Sequence, residues 1–60
     1  MIFEQILDRD LGCAAYVVGC QQAGEAVVVD PPLHVAPVLA VCERERVRLV
    51  GVIETHTHAD

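Results

Sequence analysis

The chain reads as an α/β fold in which a β-meander leads into a βαβ unit. Three observations predict it. Ala26-Val27-Val28-Val29 is a continuous β-branched run stopped by Asp30-Pro31-Pro32. Val35, Val38, Leu39 and Cys42 then fall at i, i+3, i+4 and i+7, the spacing of one helical face. Leu49-Val50-Gly51-Val52-Ile53 is a second run of the same buried type. Strand, helix and strand at this length predict two parallel strands joined by a right-handed crossover.

Each element has its own signal. Ile2 to Leu7 reads as a short strand with Ile2, Phe3, Ile6 and Leu7 to bury, and Asp8-Arg9-Asp10-Leu11-Gly12 has turn composition. Cys13 to Cys20 is a second strand centred on Tyr16, Val17 and Val18. Gln21-Gln22-Ala23-Gly24-Glu25 is a polar turn. The Ala26–Val29 run predicts a strand buried on both faces, as in a helix-covered sheet. Pro31 and Pro32 end it, because proline cannot donate to a ladder. Pro37 is tolerated only near a helix start, which puts the helix start close to it. Glu43 to Arg46 form the exposed last turns, with arginines at the negative end of the helix dipole. The stretch Arg44 to Arg48 reads as a solvated face, not as a basic binding patch.

Composition excludes several classes. Of 60 residues, 53% are hydrophobic and 22% charged, which is too apolar for a disordered tail. Four Lys plus Arg against nine Asp plus Glu give a net charge of −5, the wrong sign for a nucleic-acid binder. Three cysteines without C-x-x-C spacing support neither a disulfide framework nor a thioredoxin-like redox site. Each is expected to be a small buried hydrophobe. The first residues lack the basic start of a signal peptide, and no apolar run approaches the roughly 20 residues of a membrane span. A cytoplasmic protein is expected. A domain of this size buries only about 60% of the surface its unfolded chain exposes. A mean hydropathy of +0.41 with almost no aromatic residues is therefore expected to mark part of a larger domain or a tight oligomer.

The chemistry concentrates in Glu54-Thr55-His56-Thr57-His58-Ala59-Asp60. In extended backbone, residues two apart project to the same side, so His56 and His58 can address one ion. Asp60 adds a carboxylate two residues on, and mixed imidazole and carboxylate ligation suits zinc, iron or manganese. The cluster follows the carboxyl end of a buried strand, where open α/β sheets bind ligands. The bland alternative is two exposed loop histidines, with Asp60 capping a following helix. His34, after Pro31-Pro32-Leu33, reads as a surface histidine. A catalytic zinc usually takes three protein ligands plus water, so further ligands are expected from outside this stretch.

Thr55-His56-Thr57-His58-Ala59-Asp60 resembles the T-H-x-H-x-D portion of the metallo-β-lactamase superfamily motif. The order of elements before it resembles the first half of that fold. The resemblance implies the N-terminal portion of an αββα sandwich, with residues 1–60 an incomplete domain that ends in the metal-binding loop. Within the superfamily, Ile53 to Asp60, the opening Phe3-Glu4-Gln5-Ile6 and the stretch Leu11 to Tyr16 look most like the persulfide dioxygenases, including those fused to rhodanese domains. The glyoxalase II hydrolases are the nearest competitor.

The resemblance implies roles for particular residues. His56 and His58 match the histidines of the first metal position. Asp60 matches the catalytic-site acid that ligates a second metal in the dinuclear hydrolases and stands beside the metal in the mononuclear iron enzymes. Asp30 matches an acid that orients a ligand histidine through its free N–H. The implied cofactor is a mononuclear Fe(II) acting on glutathione persulfide. The alternative is a dinuclear Zn(II) or iron site that hydrolyses a glutathione thioester. Two readings stand apart from these. H-x-H after an early strand also opens amidohydrolase-type (β/α)₈ barrels, although those do not generally run from His-x-His-x-Asp straight into a helix cap. A non-catalytic interaction module would need the remainder of its own domain, or a second copy, to cover its apolar faces.

Overall fold

The computed structural model describes residues 1–8, 12–32 and 34–55. They form one sheet and one helix. Strands β1 (Ile2–Asp8), β2 (Cys13–Cys20) and β3 (Glu25–Val29) are followed by α1 (Ala36–Glu45) and β4 (Arg48–Ile53). The sheet order is β1-β2-β3-β4. The first three strands pair antiparallel and β3 pairs parallel with β4, as expected for a meander leading into a βαβ unit.

Local chemistry accounts for the element ends. Gly24 sits in the left-handed region at φ 69°, and its N–H donates to the Cys20 carbonyl at 2.9 Å to close the turn between β2 and β3. Its own carbonyl accepts the Arg48 N–H at 2.8 Å, which ties this turn to the start of β4. Helix α1 starts without a side-chain cap and carries proline in its first turn, where the missing N–H costs nothing. It stops at Arg46, whose φ of 57° is left-handed. The Val47 N–H reaches back to the Cys42 carbonyl at 2.9 Å, and the Arg46 N–H to the Glu43 carbonyl at 3.2 Å. This is the Schellman pattern, and Cys42 and Val47 supply its hydrophobic contact within the core. An arginine holds the position that glycine usually fills.

The core lies between the helix and one face of the sheet. It consists of Ile2, Val17, Ala26, Val28, Val38, Val41, Cys42 and Val47, with Ile6 and Leu49 packed at its border. Strand alternation explains the choice. Along β2, Ala15, Val17 and Gly19 are buried, while Ala14, Tyr16 and Val18 are half-buried. Gly19 is required there, because a Cβ would stand 2.9 Å from the Ala26 Cβ and 3.0 Å from the Glu25 carbonyl oxygen.

Three expectations are corrected here. Strands β3 and β4 are not buried on both faces. Ala26 and Val28 are buried, but Val27 and Val29 are half-buried, and Val50, Val52 and Ile53 are exposed. The single described helix covers one face only, so the sheet's opposite face carries exposed Phe3 and Leu7, with Phe3 stacked on Tyr16 at a centroid distance of 5.5 Å. The helix buries Val38, Val41 and Cys42, whereas Val35 and Leu39 are exposed. Val35 lies before the first turn, and the buried positions 38, 41 and 42 leave Leu39 off the covered face. Of the cysteines, Cys42 is buried, but Cys13 and Cys20 are exposed. Cys13 opens β2, and Cys20 closes it on the face of Tyr16 and Val18, away from the core.

A polar network closes the edge of the helix–sheet layer. The Arg44 guanidinium donates to Glu4 at 2.8 Å and to Glu45 at 3.0 Å, and Gln21 donates to Glu45 at 3.0 Å. The carboxylates of Glu4 first, and then Glu45, raise the arginine above its ordinary value. Among the described residues no helix is long and apolar enough to cross a membrane.

Candidate metal centre

The parallel pairing of β3 and β4 fixes one end of the sheet. Val29 is opposite Ile53, so both strands finish together at their carboxyl ends. Asp30 follows the first, and Glu54 and Thr55 follow the second. Chain direction alone therefore brings an acid and the start of the His-x-His-x-Asp segment to the same place, which is where open α/β sheets take their ligands.

Hydrogen bonds join the two strand ends. The Asp30 N–H donates to the Ile53 carbonyl at 2.7 Å. The Thr55 N–H donates to Asp30 Oδ1 at 2.7 Å. The Thr55 hydroxyl donates to Asp30 Oδ2. Each carboxylate oxygen thus takes one donor from the same residue. Asp30 holds this position with a left-handed backbone, φ 52°. Aspartate and asparagine enter that region more readily than other residues with a β-carbon, because a short polar side chain can bond locally. The prolines that follow keep the segment out of the sheet ladder.

Of the predicted site residues, Asp30 is thus placed at the ligand end of the sheet. His56, His58 and Asp60 lie outside the described residues. Asp30's expected service to a ligand histidine concerns those same positions. His34 is exposed, as expected of a surface histidine. Among the described residues no group of three or more His, Cys, Asp and Glu gathers as a metal cluster, and no polar or charged side chain is buried. The fit of a metal rests on the donor set itself: two imidazoles and a carboxylate at alternate positions, directly after an anchored residue. The net charge of −5 favours a cation there over an anion.

Sequence reasoning placed Thr55 in the motif but gave it no partner. Its signal was present but long-range: a hydroxyl residue one step before the first histidine, on the strand parallel to one that ends in an acid.

The fold is shared with known proteins. The chain is similar to the solved structure of a metallo-beta-lactamase from Staphylococcus aureus subsp. aureus COL. The TM-score is 0.90 and the identity 37%, over 98% of this chain and 18% of that one. It is also similar to the crystal structure of ETHE1 from Myxococcus xanthus, with a TM-score of 0.89 and 34% identity over 100% of this chain and 27% of that one. The chain thus spans about a fifth of the first protein and about a quarter of the second. No protein-family profile matches it, and no curated protein matches it. Four strands and a helix laid out as in these structures, with more than a third of residues identical in each, identify the lineage: the chain belongs to the metallo-β-lactamase superfamily, a family of metal-binding enzymes, and corresponds to the N-terminal part of an ETHE1-like fold.

Proposed function

We propose that this chain carries the first half of the metal site of a persulfide dioxygenase, which oxidises the sulfane sulfur of glutathione persulfide. The observation that carries the reading is the Asp30–Thr55 grip, which anchors the entry of the His56-Thr57-His58-Ala59-Asp60 segment at the ligand end of a parallel strand pair. The wording of Ile53 to Asp60 and the likeness to ETHE1 support the substrate class. His56 and His58 would hold one Fe(II), and Asp60 would stand beside it. Such an iron would supply the redox chemistry by which dioxygen and water convert the persulfide to thiol and sulfite. The residues of this chain would bind and orient. Asp30 would fix the strand ends and, through them, the course of the histidine segment. The remaining ligands and the substrate pocket would come from the rest of the domain. We place the protein in the cytoplasm, where three unpatterned cysteines stay reduced.

A second reading is favoured by the likeness to a protein named as a metallo-beta-lactamase. In it, Asp60 would ligate a second metal, and a dinuclear zinc or iron site would hydrolyse a glutathione thioester.

Elemental analysis of the protein purified without oxygen tests both. About one iron per chain, with oxygen uptake on glutathione persulfide, supports the dioxygenase. Two metals per chain, rich in zinc, with thioester cleavage, support the hydrolase. A protein that holds no metal, and takes up neither ion when offered, refutes both.

A further inference from the structure

We propose that two copies of this chain close one metal site between them, each copy supplying His56 and His58 to a single divalent cation; this rests on the metal-centre reading above. Donor counting points there. A closed zinc site takes four ligands. In extended backbone each residue rises about 3.3 Å, so His56 and Asp60 are about 13 Å apart. Side chains that project the same way from points so far apart do not converge on one ion, whereas those of His56 and His58 do. The rest of the chain adds no further donor: among the described residues no three of His, Cys, Asp and Glu gather, and no polar or charged side chain is buried. One chain, taken by itself, thus fills two of four positions. A second copy brings the same pair at the same spacing, and a two-fold axis through the ion sets four imidazoles around it. Where the rest of a domain is joined to the chain, that rest competes for the same two positions.

The ion also decides whether the copies meet. Each carries a net charge of −5, so two copies repel one another, and a divalent cation between the strand ends offsets part of that. Apolar surface lies beside it. The strand register puts Leu7, Val29 and Ile53 on the sheet face away from the helix, at the end where Thr55 leaves β4. Leu7 is 60% exposed and Ile53 49%. Four strands of up to eight residues span about 27 by 19 Å, or about 500 Å² in projection. That is short of the roughly 800 Å² per partner of a standard interface. The face alone does not hold two copies together, and the shared ion supplies what it lacks.

The test follows the purified 60-residue chain by sedimentation velocity while zinc ion alone is added. Without zinc the chain should sediment as a monomer of 6.5 kDa. With zinc the mass should double, the change should be complete at one zinc per two chains, and a chelator should reverse it. His56→Ala and His58→Ala should each abolish the doubling. His34→Ala and Cys20→Ser should leave it intact, although both remove an exposed group of zinc-binding type. Hydrogen exchange at the amides of Val27 to Val29 shows that each variant keeps its sheet. The stoichiometry of the unsubstituted chain decides the matter even where a variant does not fold. One zinc per chain at unchanged mass overturns the proposal and leaves the metal-centre reading standing. A mass that doubles without zinc overturns it, as does a doubling that survives the loss of either His56 or His58. A chain that binds no zinc overturns both the proposal and the reading beneath it.

Discussion

Substitution of Asp30 separates the two things that residue does: it accepts two hydrogen bonds, and it occupies a left-handed backbone. A hydrogen bond to a charged group contributes about 1.5–3 kcal/mol net. Asp30 is half-buried and Thr55 exposed, so the lower end applies, about 3 kcal/mol for the pair. Asp30→Asn keeps the shape and tolerates the left-handed region. Its amide oxygen can accept the Thr55 N–H, and its amide nitrogen can donate to the hydroxyl. Neutral bonds are roughly half as strong as charged ones, so the loss is about 1.5 kcal/mol. Asp30→Gly removes both bonds. It relieves left-handed strain of about 1 kcal/mol, but this is offset by a similar entropy gained by the unfolded chain. The net loss is about 3 kcal/mol. Asp30→Ala removes the bonds and keeps a β-carbon in the left-handed region without the polar group that eases it there, for a loss of about 4 kcal/mol. Sixty residues contribute about 3–9 kcal/mol at the usual stability per residue, so the alanine variant should be substantially unfolded. Urea unfolding followed by circular dichroism reads the order directly. Asn above Gly above Ala in stability is expected. A glycine variant as stable as the unsubstituted protein would show that the grip contributes nothing and that the backbone strain dominates.

Other expectations follow from the packing. Gly19→Ala forces a β-carbon against Ala26 and the Glu25 carbonyl and should cost about 1–3 kcal/mol in urea unfolding. Val17→Ala removes two methyl groups from a side chain with no exposed surface; at about 0.8 kcal/mol per group plus a cavity term, the midpoint should fall by the equivalent of about 2–3 kcal/mol. Arg44→Met breaks the bonds to Glu4 and Glu45 at the surface and should lower the urea midpoint slightly, by an amount that shrinks in high salt. The arginine's folded-state value is raised, so its contribution is complete below the unfolded value and is lost only as pH rises through the folded one. The difference between the two proteins should therefore be flat from neutral to mildly alkaline pH, and a decline there would contradict the assignment.

Much of this fold was legible because its signals are local. The β2 boundaries follow from the apolar run between Gly12 and Gln21, and the helix start from Pro37. The parallel pair follows from two β-branched runs flanking a helical spacing. What escaped depends on partners distant in sequence. Val27 and Val28 are chemically identical, so nothing in the run says which one faces the helix; only the register does. Arg46 ends the helix in a conformation normally announced by glycine, and arginine carries no such signal. Cys13 and Cys20 resemble core residues by type, but their depth is set by their place at the strand ends and by which face each presents. At the site, His56, His58 and Asp60 stand out by type and spacing, and Asp30 by its place after a strand. Thr55 is marked by the motif, but its bond to Asp30 shows only once residue 30 is beside it.

That adjacency has a consequence for the order in which the unit assembles. The meander β1-β2-β3 joins neighbouring strands through short turns, whereas β4 pairs with β3 only after the chain has passed through a helix. Parallel pairing of this kind is the slower, non-local step. Asp30 and Thr55 meet across 25 positions, so neither can be held until that step is complete. During synthesis, β3 is an uncovered edge until Ile53 emerges, and the histidines come directly behind it. The chemistry-bearing segment thus acquires a fixed origin at the moment the sheet closes, and not before. If the proposed site takes an ion, that ion would draw the slow step forward, and metal supply and folding yield would be coupled by the topology itself.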